Sequence, residues 1–150
     1  FGTGLLIRSA IDLGAEEIVI GLGGSATVDL GVGILAALGL SFLDENGREL
    51  TQFAPNFLSK IRHIQKSPRI LKVKFSCLCD VKNPFFGDRG AISVFGPQKG
   101  LLATQFEKYE LACMAVVSQL FAKQKKTFED APGFGAAGGI AFGLSSVYYP

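Results

Sequence analysis

E-I-V-I-G-L-G-G-S-A-T, from Glu17 to Thr27, places an almost continuous apolar run directly before a glycine-rich loop. A short apolar run of this kind is typical of a strand that is buried on both faces. The residues from Thr27 to Leu38 then show helical spacing, and Leu40 to Asp44 returns to a strand pattern. This β-loop-α-β order predicts parallel pairing of the two strands through a right-handed crossover.

The rest of the chain continues the alternation and predicts an α/β fold with parallel-sheet-containing layers and helices. Helices are predicted at Gly4–Asp12 and Ile140–Tyr148, with a short helix within Phe53–Gln65. A longer helix is predicted to begin at a Thr104/Glu107 capping box and to end at about Lys123. Strands are predicted at Ile70–Cys79 and Ala91–Phe95. The side chains expected in the core of the first and the long helix are Leu5, Leu6, Ile7, Ala10, Ile11, Leu111, Val116, Leu120 and Phe121.

Length and composition limit the class of protein. The chain has 150 residues, 48% of them apolar and 19% charged, which excludes a disordered or fibrous protein. Fifteen Lys and Arg against 13 Asp and Glu leave a net charge of +2, too small for a nucleic-acid surface. No linker divides residues 1–150. Because the chain starts at Phe1 and its only methionine is Met114, we expect a piece of a longer protein.

Cysteine usage and the uncharged runs favour a cytoplasmic protein. Three cysteines and one histidine do not supply a four-ligand zinc set, and an odd number favours reduced thiols. No segment has the layout of a secretion signal. The run Leu30–Leu43 is too short to span a bilayer, and Ala131–Pro150 is interrupted by glycines and prolines. We therefore expect no membrane association.

The glycine-rich loop after the first strand is a candidate phosphate site. Glycines let backbone N–H groups approach a phosphate, and a following helix N-terminus would add a favourable dipole. The predicted phosphate-facing residues are Gly23, Gly24, Ser25 and Thr27. Asp29 could bind a cation or take a proton from a substrate hydroxyl. The alternative is a tight strand-to-helix connection in which a hydroxyl caps the helix.

The same loop also fits a dinucleotide-binding fingerprint. Gly21, Gly23 and Ala26 match G-x-G-x-x-A, and Asp44 ends the next predicted strand 18 residues later. An NAD-type binding domain of an oxidoreductase is therefore the second hypothesis.

Three later segments add candidate residues. Asp80, in C-D-V-K-N-P, follows a strand, where ligand groups of α/β proteins gather. Asn83 and Arg89 follow on a loop, and V-F-G-P-Q-K-G presents Gln98 and Lys99 in a turn bounded by glycines. A carboxylate, an arginine and a lysine can serve as base, clamp and phosphate neutraliser; the alternative is a surface turn with a solvated lysine.

A second glycine loop precedes the last predicted helix. G-F-G-A-A-G-G, which includes Gly138 and Gly139, is a possible second anion site at a helix entry. The alternative is close packing where no side chain fits. His63 has no partner in reach by sequence, and we interpret it as structural.

Taken together, five segments resemble the bacterial glycerate kinase family (type I). They are G-T-G-L-L-I (2–7), G-L-G-G-S-A-T (21–27), C-D-V-K-N-P (79–84), V-F-G-P-Q-K-G (94–100) and G-A-A-G-G (135–139), in the order of the family and with similar spacing. The family usually continues N-D-G-G after G-G-S-A-T, whereas Val28, Asp29, Leu30 and Gly31 stand here.

The resemblance implies an ATP- and Mg²⁺-dependent phosphorylation of a D-glycerate hydroxyl by a two-domain α/β enzyme more than twice this length. It implies that residues 1–150 are a central fragment. Our hypothesis from the residues themselves is that Asp29, Asp80 and Lys99 are catalytic, with either Asp as the base or as a Mg²⁺ ligand. The binding residues would be Gly23, Gly24, Ser25, Thr27, Asn83, Arg89, Gln98, Gly138 and Gly139. No Walker motif is present, so a P-loop kinase is excluded. A third hypothesis is a truncated, non-catalytic binding or structural domain.

Overall fold

The structure is a computed structural model that describes residues 1–51, 54–67 and 72–148. The helices are α1 (Gly2–Asp12), α2 (Val32–Ala37), α3 (Phe57–Lys60), α4 (Ala91–Phe95), α5 (Phe106–Lys123) and α6 (Ile140–Tyr148). The strands are β1 (Glu17–Leu22), β2 (Leu40–Leu43), β3 (His63–Lys66) and β4 (Lys74–Cys79). Short 3₁₀ turns occupy Pro97–Lys99, Ala103–Gln105 and Ala136–Gly138. The mixed α/β class predicted from the sequence is confirmed.

Strands β1 and β4 form a parallel pair, in register from Glu17 opposite Lys74 to Leu22 opposite Cys79. Because both strands run in the same direction, their carboxyl ends meet at one edge. The backbone N–H of Asp80 donates to the carbonyl of Leu22 at 3.3 Å and continues the ladder by one residue. The glycine loop and the Asp80 segment therefore leave the sheet side by side.

The predicted β-loop-α-β crossover is wrong, because β2 does not pair with β1. It pairs antiparallel with β3, in a second two-stranded sheet, with Phe42 directly opposite Ile64. Both of these side chains are fully buried, so this pair fixes the register. The polar residues around Ile64 hid β3 from sequence inspection, and with it the true partner of β2.

The prediction that β1 is buried on both faces is also wrong. Ile18, Ile20 and Leu22 face the core, whereas Val19 on the opposite face is 60% exposed. Among the described residues, the apolar core therefore lies against one face of this sheet. Apolar composition alone did not distinguish one covered face from two.

Helix boundaries and types were predicted with mixed success. Helix α6 has the predicted bounds, and the long helix ends at Lys123 as expected but begins at Phe106 after a 3₁₀ turn that contains Thr104. Helix α2 begins at Val32 rather than Thr27, because Leu30 and Gly31 adopt left-handed backbone angles (φ 60° and 68°) that a helix does not accommodate.

The segment Ala91–Phe95 is a helix and not the predicted strand. Gly90 lies where an added Cβ would be 2.4 Å from the carbonyl oxygen of Phe86. The N–H of Ala91 donates to the carbonyl of Pro84 at 3.0 Å. Tertiary packing at this tight entry overrides the strand preference of the alternating β-branched residues. The predicted strand residues Ile70 and Leu71, and Phe53 before α3, lie outside the described residues.

The core is built on one face of α5 and around a group of phenylalanines. Val116, Leu120 and Phe121 are buried as predicted, whereas the predicted core residues Leu5, Leu6 and Leu111 are exposed. Rings of five other phenylalanines lie with their centroids between 4.7 and 6.1 Å from that of Phe142: Phe85, Phe86, Phe121, Phe128 and Phe134. Two of them, Phe85 and Phe86, fix the loop that follows β4.

Within the described residues, none of the helices combines the length and the apolar character needed to cross a bilayer.

Candidate functional site

The candidate site begins where β1 and β4 end. Gly23 and Gly24 leave β1 exposed, and a Cβ added to Gly23 would lie 3.5 Å from Oδ2 of Asp80. The Asp80 carboxylate therefore lies beside the glycine loop, at van der Waals distance from where a Cβ at position 23 would stand. This is the juxtaposition that parallel pairing of the two strands produces.

Lys99 joins the third sequence segment to the same loop. Its Nζ donates to Oγ of Ser25 at 3.1 Å and to the carbonyl oxygen of Thr27 at 2.8 Å. Oγ of Ser25 donates in turn to the Thr27 carbonyl at 3.2 Å. Burial lowers the pKa of Lys99, an effect that the charge of Asp29 opposes. This contact brings two of the candidate segments together; their contact with a ligand stays a prediction.

Asp29 is half-buried directly after this loop. Its Oδ1 accepts a hydrogen bond from the Gly31 backbone N–H at 3.1 Å. Burial raises the pKa of the Asp29 carboxyl, because the charged form loses hydration, and the hydrogen bond from Gly31 offsets this in part. A half-desolvated carboxylate beside a lysine is typical of sites that bind ligands or transfer protons.

Two cavities lie on either side of Lys99, and it lines both. The larger cavity, of about 450 Å³, is also lined by Thr27, Asp29, Phe57 and Tyr109. The smaller cavity, of about 210 Å³, is also lined by Gly23, Gly24, Ser25, Asp80 and Gln98. The structure thus assigns the two candidate carboxylates to different cavities, Asp29 to the larger and Asp80 to the smaller.

Asn83 and Arg89 are not brought to either of these cavities. Nδ2 of Asn83 donates to the carbonyl of Arg89 at 2.8 Å, and the Arg89 side chain is exposed. The Asn83 carbonyl accepts the N–H groups of Gly133 and Gly135 at 3.2 and 2.8 Å. Asn83 therefore fastens two loops together, and a ligand contact by Asn83 or Arg89 stays a prediction.

Gly138 and Gly139 are buried and also line neither cavity. A Cβ added to Gly138 would lie 2.0 Å from the carbonyl oxygen of Thr27, and one added to Gly139 would lie 2.5 Å from the Phe85 ring. The Gly138 carbonyl accepts the Leu30 N–H at 3.0 Å. This geometry supports the close-packing alternative, in which the second glycine loop holds the first one in place.

Sequence inspection missed two residues that hold the site. Asp130 accepts the N–H of Phe85 at 2.8 and 3.0 Å and that of Phe86 at 2.8 Å, which fixes the loop after β4. The Tyr109 hydroxyl donates to the carbonyl of Val28, beside Asp29. No local pattern marks either residue, because their partners are 45 and 81 positions away.

We expect Asp130→Ala to lower the free energy of unfolding by about 2–3 kcal/mol, because two backbone N–H groups lose a charged acceptor. The neighbouring Glu129 is exposed, so Glu129→Gln is the control and should change stability by less than about 0.5 kcal/mol. Urea unfolding of the chain measures both. Equal stabilities of the two variants would contradict the anchoring role of Asp130.

Leu30, which stands where the family pattern N-D-G-G has its first glycine, is a core residue in a strained backbone conformation. It is fully buried, yet it adopts φ 60°, a conformation that costs a residue with a Cβ about 1–2 kcal/mol. We expect Leu30→Ala to destabilise by about 2–5 kcal/mol through the lost side chain. Leu30→Gly should be more stable than Leu30→Ala by about 1 kcal/mol, since glycine escapes the strain. Urea unfolding compares the two variants, and a less stable glycine variant would refute this account.

The raised pKa of Asp29 predicts a pH dependence of stability. The folded state holds the Asp29 proton more tightly than the unfolded state. The contribution of Asp29 to the free energy of unfolding therefore falls as pH rises from the ordinary pKa of 3.8 through the raised pKa of the folded state. Asparagine keeps the acceptor for Gly31 and carries no charge. Asp29→Asn should therefore be more stable than the wild-type chain at pH 7, and the difference should shrink below that window. Urea unfolding at pH 3.5 and 7 tests this, and a less stable Asp29→Asn at pH 7 would contradict it.

These residues would hold a magnesium ion only together with phosphate oxygens, which would supply the remaining ligands. Among the described residues, His, Cys, Asp and Glu form no group of three that would hold a metal by themselves. In nucleotide sites, Mg²⁺ is bound by one or two carboxylates together with phosphate oxygens. Asp29 and Asp80, each alone in its cavity, meet that requirement.

The second hypothesis, a dinucleotide-binding fingerprint, receives no support. Its acidic residue, Asp44, follows β2, which does not lie beside β1. Oδ1 of Asp44 instead accepts the N–H groups of Asn46 and Arg48 at 2.8 and 2.9 Å, which builds a turn at Gly47. The carboxylate is occupied within its own turn.

The fold and the site define an α/β protein in which a glycine loop, a lysine and two carboxylates lie near the carboxyl end of a parallel strand pair. The chain belongs to the glycerate kinase family, whose sequence profile matches residues 1–149. The resemblance noted in the sequence is thereby confirmed.

Relatives and a solved structure agree with this assignment. The chain is 41% identical to glycerate kinase of Bacillus subtilis over 146 residues, covering 95% of this chain and 38% of that protein. It is 38% identical to glycerate 2-kinase of Escherichia coli over 146 residues, again 95% and 38%. The crystal structure of glycerate kinase 2 from Salmonella typhimurium LT2 superposes with a TM-score of 0.86 at 37% identity, covering 98% of this chain and 40% of that one. The chain thus spans about 38% of the length of these curated relatives.

Proposed function

We propose that this chain is the central section of a glycerate kinase that transfers the γ-phosphoryl group of ATP to a hydroxyl of D-glycerate. The observation that supports it best is Lys99, whose ammonium group lies against the glycine loop and borders two cavities with one carboxylate each. Phosphoryl transfer needs positioning and charge neutralisation more than covalent chemistry, and these groups supply both.

Each group has a role in this proposal. The loop of Gly23, Gly24 and Ser25 faces the oxygens of the phosphoryl group that is being transferred, and Lys99 neutralises negative charge that develops during transfer. Asp29 or Asp80 accepts the proton of the reacting hydroxyl. The other carboxylate would hold Mg²⁺, which supplies charge neutralisation at the phosphates when bound.

The proposal is tested by activity in a chimera. The chain replaces the matched residues of the Bacillus subtilis relative, and ADP release is measured with ATP and D-glycerate. We expect turnover that requires both substrates. A folded but inactive chimera would contradict the catalytic function and favour the non-catalytic binding domain. The same assay in the unmodified relative is the control.

Binding to the chain itself separates the nucleotide hypotheses. A ligand at a hundred times its Kd raises stability by about 2.7 kcal/mol, which shifts the melting temperature by several degrees. We expect a shift with Mg-ATP or D-glycerate and none with NAD. A shift with NAD alone would refute the kinase proposal. Cytoplasmic location and the absence of nucleic-acid partners remain predictions of this proposal.

A further inference from the structure

We infer that the two cavities divide the reactants: the larger takes the nucleotide, the smaller takes the three-carbon hydroxy acid, and the phosphoryl group passes between them at Lys99. This inference rests on the proposed function and assigns its two substrates to places. Sequence inspection left open which loop meets which substrate. The structure supplies the missing information, because Lys99 is shared by the two cavities whereas the other candidate residues are not.

Size is the first argument. A cavity of about 450 Å³ lies within the range of about 300–1,000 Å³ that is usual for pockets that enclose drug-sized ligands. The smaller cavity, about 210 Å³, lies below that range and suits a molecule of a few heavy atoms. An adenosine group needs the larger space, and glycerate does not.

Lining chemistry is the second argument. Phe57, Leu101 and Tyr109 line the larger cavity and offer the apolar contacts that the faces of a purine require, while Lys108 adds a positive charge there. In the smaller cavity, Ser25, Gln98 and Asp80 supply a hydroxyl, an amide and a carboxylate beside three apolar side chains, those of Val81, Phe95 and Ala137. A small acid with two hydroxyl groups needs such donors and acceptors.

The division assigns separate roles to the two carboxylates. In the smaller cavity, Asp80 accepts the proton of the acid's hydroxyl as the oxygen bonds to the γ-phosphorus. The bond from that phosphorus to the bridging oxygen breaks, and its electron pair leaves with the nucleoside diphosphate. Asp29 lines the larger cavity and so lies on the nucleotide side, where it would bind the cation that accompanies the phosphates.

Two matched substitutions test this division. Gln105 lines the larger cavity and Gln98 the smaller, both are exposed, and Gln→Glu adds one negative charge at each. Because both ligands are anionic, the added charge should repel the ligand that shares its cavity. Glutamate also keeps the side-chain oxygen by which Gln105 accepts the Leu102 N–H at 3.1 Å, so the helix entry is preserved.

Binding of Mg-ADP and of D-glycerate to the chain is measured separately by calorimetry. We expect Gln105→Glu to raise the Kd of Mg-ADP about tenfold and to leave that of D-glycerate within about twofold, and Gln98→Glu to do the reverse. The opposite pattern, or equal effects of both variants on both ligands, would overturn the division while leaving the proposed function intact. A wild-type chain that binds neither ligand would count against the proposed function itself.

Discussion

Gly138→Ala is expected to destabilise the chain by about 4 kcal/mol or more, the largest stability effect in the site. A Cβ at this position would lie 2.0 Å from the carbonyl oxygen of Thr27 and 2.8 Å from Cα of Val28. Both are backbone atoms, so no side-chain rotation relieves the clash. The backbone also adopts φ 69° there, which an alanine tolerates poorly. The methyl group would push apart the two glycine loops and displace Asp29.

Gly47→Ala separates the cost of the steric clash from the cost of the backbone conformation. Gly47 has nearly the same backbone angle, φ 73°, but nothing lies within 4 Å of the added Cβ. The control should therefore lose only the conformational cost, about 1–2 kcal/mol. Urea unfolding of both variants gives the difference, which reports the close approach of the two loops. If the two variants lose equal stability, Gly138 does not pack against Thr27 as described.

Local elements were predictable where a single segment carries the information. The apolar run of β1 and the spacing of α6 gave those elements with the observed bounds. The partner of β2 was not predictable, because it depends on Ile64, one apolar residue in a polar strand. The helix at Ala91–Phe95 was missed because its entry depends on a backbone contact between Gly90 and Phe86. Strand pairing is a long-range property, and the approach of Gly90 to Phe86 depends on the path of the backbone; the pattern of residue types contains neither.

The candidate site likewise contains residues that sequence motifs reveal and residues that they do not. Lys99 and Ser25 both stand in motifs that the sequence displays, and the structure joins them across 74 positions. Val28 and Leu30 depart from the usual family pattern in the sequence, and both side chains are buried, so they occupy packing positions in the structure. Tyr109 and Asp130 carry hydrogen bonds that no motif announces. The groups that we propose to face ligand were more visible in the sequence than the residues that hold those groups in place.

Asp80→Asn is expected to lower turnover at least a hundredfold in the chimera, since it removes the proposed proton acceptor while keeping the shape of the side chain. Its stability should change little, because Asp80 is exposed and its backbone N–H, which asparagine retains, makes the bond to Leu22. The KM values for both substrates should change much less than turnover, as expected for an interaction made in the transition state.

Asp88→Asn provides the matched control, because Asp88 is an exposed carboxylate on the same connecting loop that lines neither cavity. It should retain turnover within about twofold, as expected for a surface change away from the site. ADP release at saturating ATP and D-glycerate measures both variants, with urea unfolding as the check on folding. Turnover unchanged in Asp80→Asn would remove Asp80 from the proposed mechanism. Equal losses in both variants would show that the effect comes from net charge on this loop, since of these two carboxylates it is Asp80 that lies beside the glycine loop.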